Sequence, residues 1–240
     1  KSRMHSIRNH IAKAMEKLET EDFQLEELHI AGEKCAALRV PQIVITAAGE
    51  TDQKERIADA LLTARAGQDI VYAGWAGLEG MLRIIGEKEA ELRERFTPAF
   101  IGQMKAYDSE LCGLSKIAVA DAMGVSVIRQ VSRGGILASL WDLAKDTELG
   151  LNLDLKKIAV RQETIEVCEH FRLNPYQLAS GGSFLMLTEN GEALADALNQ
   201  KGIQAAVIGQ LTDSNDKIIH NGEDMRYIDR PAPDELMKVF

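Results

Sequence analysis

Short apolar runs that end in glycine turns and lead straight into amphipathic helices recur along this chain. That alternation constrains the fold more than any other feature. Its clearest instance is Val125 to Ile128, followed by Gln130-Val131-Ser132-Arg133-Gly134-Gly135-Ile136 and a helix carrying Leu137, Leu140, Trp141 and Ala144. Two adjacent glycines at a strand-to-helix turn allow close approach of the backbone to a ligand and leave amides pointing outward. Ile70 to Ala73 repeats the pattern, running through Gly74-Trp75-Ala76-Gly77-Leu78-Glu79-Gly80 into a helix with Met81, Leu82 and Ile85. Interleaved strands and helices of this kind belong to an α/β or α+β sheet protein.

The rest of the chain extends the pattern. Ser6 to Glu19 reads as a helix with Ile7, Ile11, Ala14, Met15 and Leu18 on one face. Phe23 to Ile30 and Cys35 to Thr46 read as strands joined at Ala31-Gly32-Glu33, with Pro41 marking an edge or a bulge. Asp52 to Arg65 is expected to be helical, ending before Gly67. Glu87 to Arg95 reads as a solvated helix face, and a further helix starts after Thr97-Pro98. Asp108 is expected to cap a long helix with Leu111, Leu114, Ile117, Ala118 and Ala122 inward. A strand (Leu151 to Leu155) and a helix (Gln162 to Arg172, with Ile165, Cys168 and Phe171 inward) follow, then an Asn174-Pro175 turn. Strand Ser183 to Leu187, helix Gly191 to Gln200 and strand Ala205 to Gly209 come next. Lys217 to His220 and Met225 to Ile228 form a hairpin about Asn221-Gly222. One helix and two strands bury too little surface to stand alone. The first fifty residues must therefore pack on the rest of the chain, on a second copy, or on another protein.

Charge and cysteine usage narrow the function classes. The 240 residues carry a net charge of −9, which opposes non-specific binding to nucleic acid or an anionic membrane, since both need a basic excess. Cys35, Cys112 and Cys168 are far apart and never in a C-x-x-C pair, as in a reducing, cytoplasmic compartment without a disulfide framework or zinc site. No apolar run reaches transmembrane length and no signal-peptide pattern opens the sequence.

Ser132, Arg133, Gly134 and Gly135 are the candidate site, an anion held at a helix N-terminus with Arg133 offering a planar fork. The competing reading is a tight turn whose glycines serve close packing, and both stay open. For Gly77 to Gly80 the packing reading is preferred. His29, and His170 beside Glu166 and Glu169, lack the converging donors a metal needs, so no metal site is expected. Cys168 reads as a buried small hydrophobe, Cys112 as an inert thiol near a helix start, and Trp75 and Trp141 as core residues. Glu110 and Asp121 are two lone carboxylates. No residue can be named as catalytic.

Four motifs in order resemble the C-terminal domain of the AIR synthase (PurM-like) superfamily: Ala66 to Gly74, Gly77-Leu78-Glu79-Gly80, Arg129 to Ile136, and Ser180-Gly181-Gly182-Ser183. They are most similar to its hydrogenase-maturation HypE branch and to AIR synthase-related proteins, over roughly 35–230. The resemblance implies a mixed sheet with flanking helices over 51–240, preceded by a truncated helix-plus-hairpin remnant of an ATP-binding domain over 1–50. It also implies ATP and magnesium as cofactors, and a reaction that activates an amide or acid oxygen by phosphorylation. A homodimer formed edge to edge through the strands between Phe23 and Thr46 is expected from the same source.

Four departures alter that expectation. The acidic metal-binding segment has no counterpart. Glu27-Leu28-His29-Ile30 stands where the family has a Gly-Gly loop, putting charge and bulk against a triphosphate. Gln130 replaces an aspartate, and Met237-Lys238-Val239-Phe240 replaces a terminal cysteine. The reading is a HypE-like protein that has lost ATP-dependent catalysis and acts in binding or assembly with a protein partner. Its rivals are an ATP-dependent enzyme completed by a missing half or partner chain, and a sensor of an anionic metabolite.

Overall fold

The computed structural model describes residues 60–240. A seven-stranded sheet runs in the order β2-β4-β1-β5-β3-β6-β7. Its strands are β1 (Asp69–Ala73), β2 (Val127–Val131), β3 (Gly150–Asp154), β4 (Ser183–Thr188), β5 (Ala205–Thr212), β6 (Lys217–Asn221) and β7 (Asp224–Tyr227). Neighbours pair antiparallel except β3 with β6. The mixed α/β architecture is the one the alternation predicts.

β1 lies between β4 and β5, and its Ile70, Val71, Tyr72 and Ala73 are all buried. Burial on both faces explains why this strand reads as an unbroken apolar run rather than an alternating one. On one face Ile70, Tyr72, Leu185, Leu187, Leu151 and Leu153 pack against Ile136, Leu140 and Leu143 of helix α4 (Gly135–Thr147). On the other, Val71, Ala73, Phe184 and Met186 meet Val119 of α3 (Leu114–Ala122) and Leu194 and Leu198 of α6 (Gly191–Gln200). A third cluster joins α1 (Leu78–Leu92), α2 (Pro98–Ala106) and α5 (Gln162–Phe171) through Met81, Ile85, Ile101, Met104 and Val167. Each such side chain contributes about 1.5–3 kcal/mol on leaving water.

Local signals fix several helix ends. Thr97 accepts a hydrogen bond from the Phe100 amide at 3.3 Å, with Pro98 in the first turn. Asn190 accepts one from the Ala193 amide at 3.3 Å. At the C-terminus of α5, Arg172 takes a left-handed conformation with φ 56°, where glycine is commoner.

Some sequence expectations need correcting. The long helix expected from Asp108 is broken: Tyr107–Leu111 is 3-10, and α3 begins only at Leu114. At the break, a Cβ on Gly113 would stand 2.6 Å from the Phe184 ring, so bare backbone is needed there. Val119, Ala120 and Lys116 are the buried residues of α3, while Ile117 is exposed. The strand expected over 125–128 lies two to three residues later, which puts Gln130 on β2. Glu163 and Thr164 are buried on α5 where Ile165 was expected, and Ile165 is half-buried. Trp75 and Trp141 are half-buried at the rim of the core. Of the helix expected over 52–65, the described part contains a 3-10 turn at Ala60–Thr63. The elements expected over 1–50, including His29 and Cys35, lie outside the described residues. Among the described residues no helix is long and apolar enough to cross a membrane.

Candidate functional site

Only Ser132 and Arg133 separate β2 from the Gly134-Gly135 turn. Gly134 (φ 76°) caps α4 and Gly135 follows with φ 66°, both in the left-handed region that disfavours a side chain. A Cβ on Gly135 would come within 2.4 Å of the Tyr176 carbonyl oxygen and 2.8 Å of that of Leu178. The Ser132 carbonyl accepts from the amides of Gly135 and Ser180, both at 3.2 Å. The side chains of Ser132 and Arg133 are exposed.

The outward amide of the turn has a partner from the same chain. Gly134 N–H donates to Asp234 Oδ2 at 2.7 Å, and Asp234 Oδ1 accepts from the Leu236 amide at 2.9 Å. A carboxylate therefore stands where the helix N-terminus would hold an oxyanion. Neighbouring residues anchor the segment. The buried Glu235 carboxylate accepts from the Asn174 amide at 3.1 Å and from Lys238 Nζ at 2.7 Å, while Leu236 joins the core cluster of α1, α2 and α5. Sequence reasoning missed Asp234. Its signal was present as an N-cap residue after Pro233, but nothing local says which helix it serves.

The other two glycine motifs pack on each other. Gly77 N–H donates to Ser180 Oγ at 2.7 Å, and Ser180 Oγ donates to the Leu178 carbonyl at 2.8 Å. Gly181 N–H donates to Glu79 Oε2 at 2.9 Å. A Cβ on Gly80 would lie 2.3 Å from Leu178 Cγ. These contacts give the glycines of 77–80 a packing role.

Beside this junction the Arg161 guanidinium is stacked between the rings of Tyr107 (3.8 Å) and Trp75 (4.2 Å). It also makes an ion pair with Glu110. Glu163 accepts from Tyr107 Oη at 2.7 Å and Gln103 Nε2 at 2.9 Å. Lys116 Nζ donates to the carbonyls of Glu110 (2.9 Å) and Cys112 (3.2 Å), and burial pushes its pKa down. Tyr72 Oη is buried near Ser183 but outside hydrogen-bonding geometry, and burial raises its pKa. Burial pushes the Cys168 thiol up to about 12, with the Glu235 charge adding to the effect, whereas Cys112 is exposed. His170 Nε2 lies 3.5 Å from Glu91 and its ring packs edge-on against Phe171. Among the described residues no three His, Cys, Asp or Glu side chains converge as metal ligands.

Residues 65–221 match the profile of the AIR synthase related protein, C-terminal domain. The chain belongs to this family. The four glycine motifs of the sequence thus identified it correctly. A hydrogenase expression/formation protein of Methanocaldococcus jannaschii is 24% identical over 217 residues, covering 88% of this chain and 62% of that protein. Carbamoyl dehydratase HypE of Rhizobium leguminosarum bv. viciae is 26% identical over 153 residues, covering 62% of this chain and 41% of its own. The chain thus spans roughly half the length of these relatives, 62% and 41%. Among solved structures, E. coli HypE superposes with a TM-score of 0.59 at 21% identity, covering 75% of this chain and 54% of that one. A chain of a solved HypE–HypF complex gives 0.54 at 22%, covering 71% of this chain and 55% of that one. At these identities the likeness establishes the fold.

Proposed function

We propose that this HypE-like member of the AIR synthase-related family acts as a non-catalytic binding or assembly protein. The observation that carries the reading is the Asp234 carboxylate on the Gly134 amide at 2.7 Å. A phosphoryl oxygen approaching the same amide would have to displace a negative charge or be repelled by it. Two sequence departures act in the same direction: Glu27-Leu28 in place of paired glycines, and Gln130 in place of a carboxylate. The relatives include carbamoyl dehydratases, and one similar fold was solved as a HypE–HypF complex, which supports a protein partner in an assembly pathway. A cytoplasmic homodimer joined through 23–46 is part of this reading.

The test is turnover. With ATP, magnesium and a small carboxamide or carboxylic acid, phosphate release by the 240-residue chain should stay at the no-enzyme rate. Sustained release that an Asp234→Ala substitution accelerates would overturn the reading. Light scattering at micromolar concentration should report a dimer, and a monomer would remove that part.

A second reading is an ATP-dependent enzyme completed by further polypeptide. The share of its relatives that the chain spans, 62% and 41%, favours it. Phosphate release appearing only when a separate ATP-binding domain is added would select it. The anionic-metabolite sensor predicts a thermal shift with phosphate-bearing ligands that Arg133→Ala abolishes.

A further inference from the structure

One cavity is accounted for neither by the glycine turns nor by the nucleotide question. It has a volume of about 120 Å³ and is bounded by the start of α4, the Asn174–Gln177 turn and the strap that follows β7. Ser132 and Arg133 do not line it, and the amide of Gly134, which does, is already bonded to Asp234. Its chemistry comes from Arg226, Arg230, Asn174 and Gln177, with Asp229 as the one acidic residue in the wall.

These groups are available. Neither Arg226 nor Arg230 has an ion pair or side-chain hydrogen bond among the described residues, whereas Arg93, Arg129 and Arg161 are paired. Asn174 Oδ1 accepts from the Tyr176 amide, and its NH₂ group makes no hydrogen bond among the described residues. The half-buried Gln177 makes no side-chain hydrogen bond among the described residues. Arg226 is the cross-strand partner of Ile219, a core residue beneath α4, so it lies on the α4 side of the sheet, where both it and Arg230 are exposed. A charge on an edge strand can serve simply to block pairing with another sheet. That would explain Arg226, but not Arg230 or Gln177 at the same opening.

We infer that this cavity binds a small oxyanion, a carboxylate or inorganic phosphate, through Arg226 and Arg230 at its mouth and the amides of Asn174 and Gln177. Guanidinium forks match both anions and amide NH₂ groups supply neutral donors. The two arginines balance Asp229 and the Asp234 carboxylate, which sits on the Gly134 amide at the cavity's edge, so recognition rests on directed donors rather than on net charge. The cavity has room for an anion of that size.

Calorimetric titration of the 240-residue chain with sodium phosphate and, separately, sodium acetate tests it, at ionic strength held constant with sodium chloride and without magnesium. Saturable binding of at least one anion is expected, and the tighter of the two identifies the ligand class. Arg226→Ala/Arg230→Ala should weaken it roughly tenfold or more, the scale of losing charged hydrogen bonds. Gln177→Glu should weaken it as well, and Lys201→Ala, at an exposed lysine outside the cavity, should leave it unchanged. Absence of saturable binding, equal heats from chloride, or loss in Lys201→Ala but not in the double variant would each overturn the inference. A thermal melt matching wild type would show that the double variant is folded.

Discussion

Replacing Asp234 with alanine probes the contact on which the functional reading rests. The side chain accepts two backbone hydrogen bonds, from Gly134 at 2.7 Å and Leu236 at 2.9 Å. Bonds to a charged acceptor contribute about 1.5–3 kcal/mol, and loss of an N-cap side chain costs about 0.5–2 kcal/mol. These figures describe one carboxylate and overlap, so the expected loss is about 2–3 kcal/mol. For a domain of this size each kcal/mol lowers Tm by roughly 2–4 °C, giving a drop of about 4–12 °C. Asp234→Asn retains an acceptor without the charge and should lose about half as much. Urea unfolding at neutral pH, followed by circular dichroism, measures both. If the midpoint of Asp234→Ala equals that of wild type, the carboxylate does not hold the segment to the turn. Asp234 would then not stand in the way of an oxyanion at the Gly134 amide.

Other outcomes follow from the same contacts. Gly135→Ala should cost about 1–3 kcal/mol in urea unfolding, because φ is 66° and the new methyl would lie 2.4 Å from the Tyr176 carbonyl oxygen. A neutral result would mean that the turn is not packed as described. Arg161→Ala should destabilise by about 1–3 kcal/mol through lost ring stacking and the lost Glu110 pair, with little rescue by Arg161→Lys; full rescue by lysine would rule out the planar stack. Burial raises the Cys168 thiol from its ordinary 9.0 to about 12, so the folded state holds the proton more tightly than the unfolded one. Its contribution to stability is complete below pH 9 and declines as pH rises toward 12. Cys168→Ala should flatten that part of the pH–stability curve, and an unchanged slope would assign it to other groups.

How much was legible in the sequence depended on whether the cause was local. Runs such as Ile70 to Ala73 and the caps at Thr97 and Asn190 act over a few residues, so those elements lie close to where they were expected. α3 was misread because its start is set by the Phe184 ring, 71 residues away, which requires the bare backbone of Gly113. The burial of Lys116 was invisible for a similar reason, since the carbonyls that satisfy it are exposed only where the helix breaks. At the candidate site the turn geometry was readable from two glycines. Its occupant was not, because Asp234 meets Gly134 across 100 residues of chain.

The most direct measurement is calorimetric titration of the 240-residue chain with ATP and magnesium. No saturable heat beyond dilution is expected, in wild type, up to millimolar nucleotide. A saturable, magnesium-dependent isotherm at micromolar ATP would contradict it and return the chain to the nucleotide-using enzymes of its family.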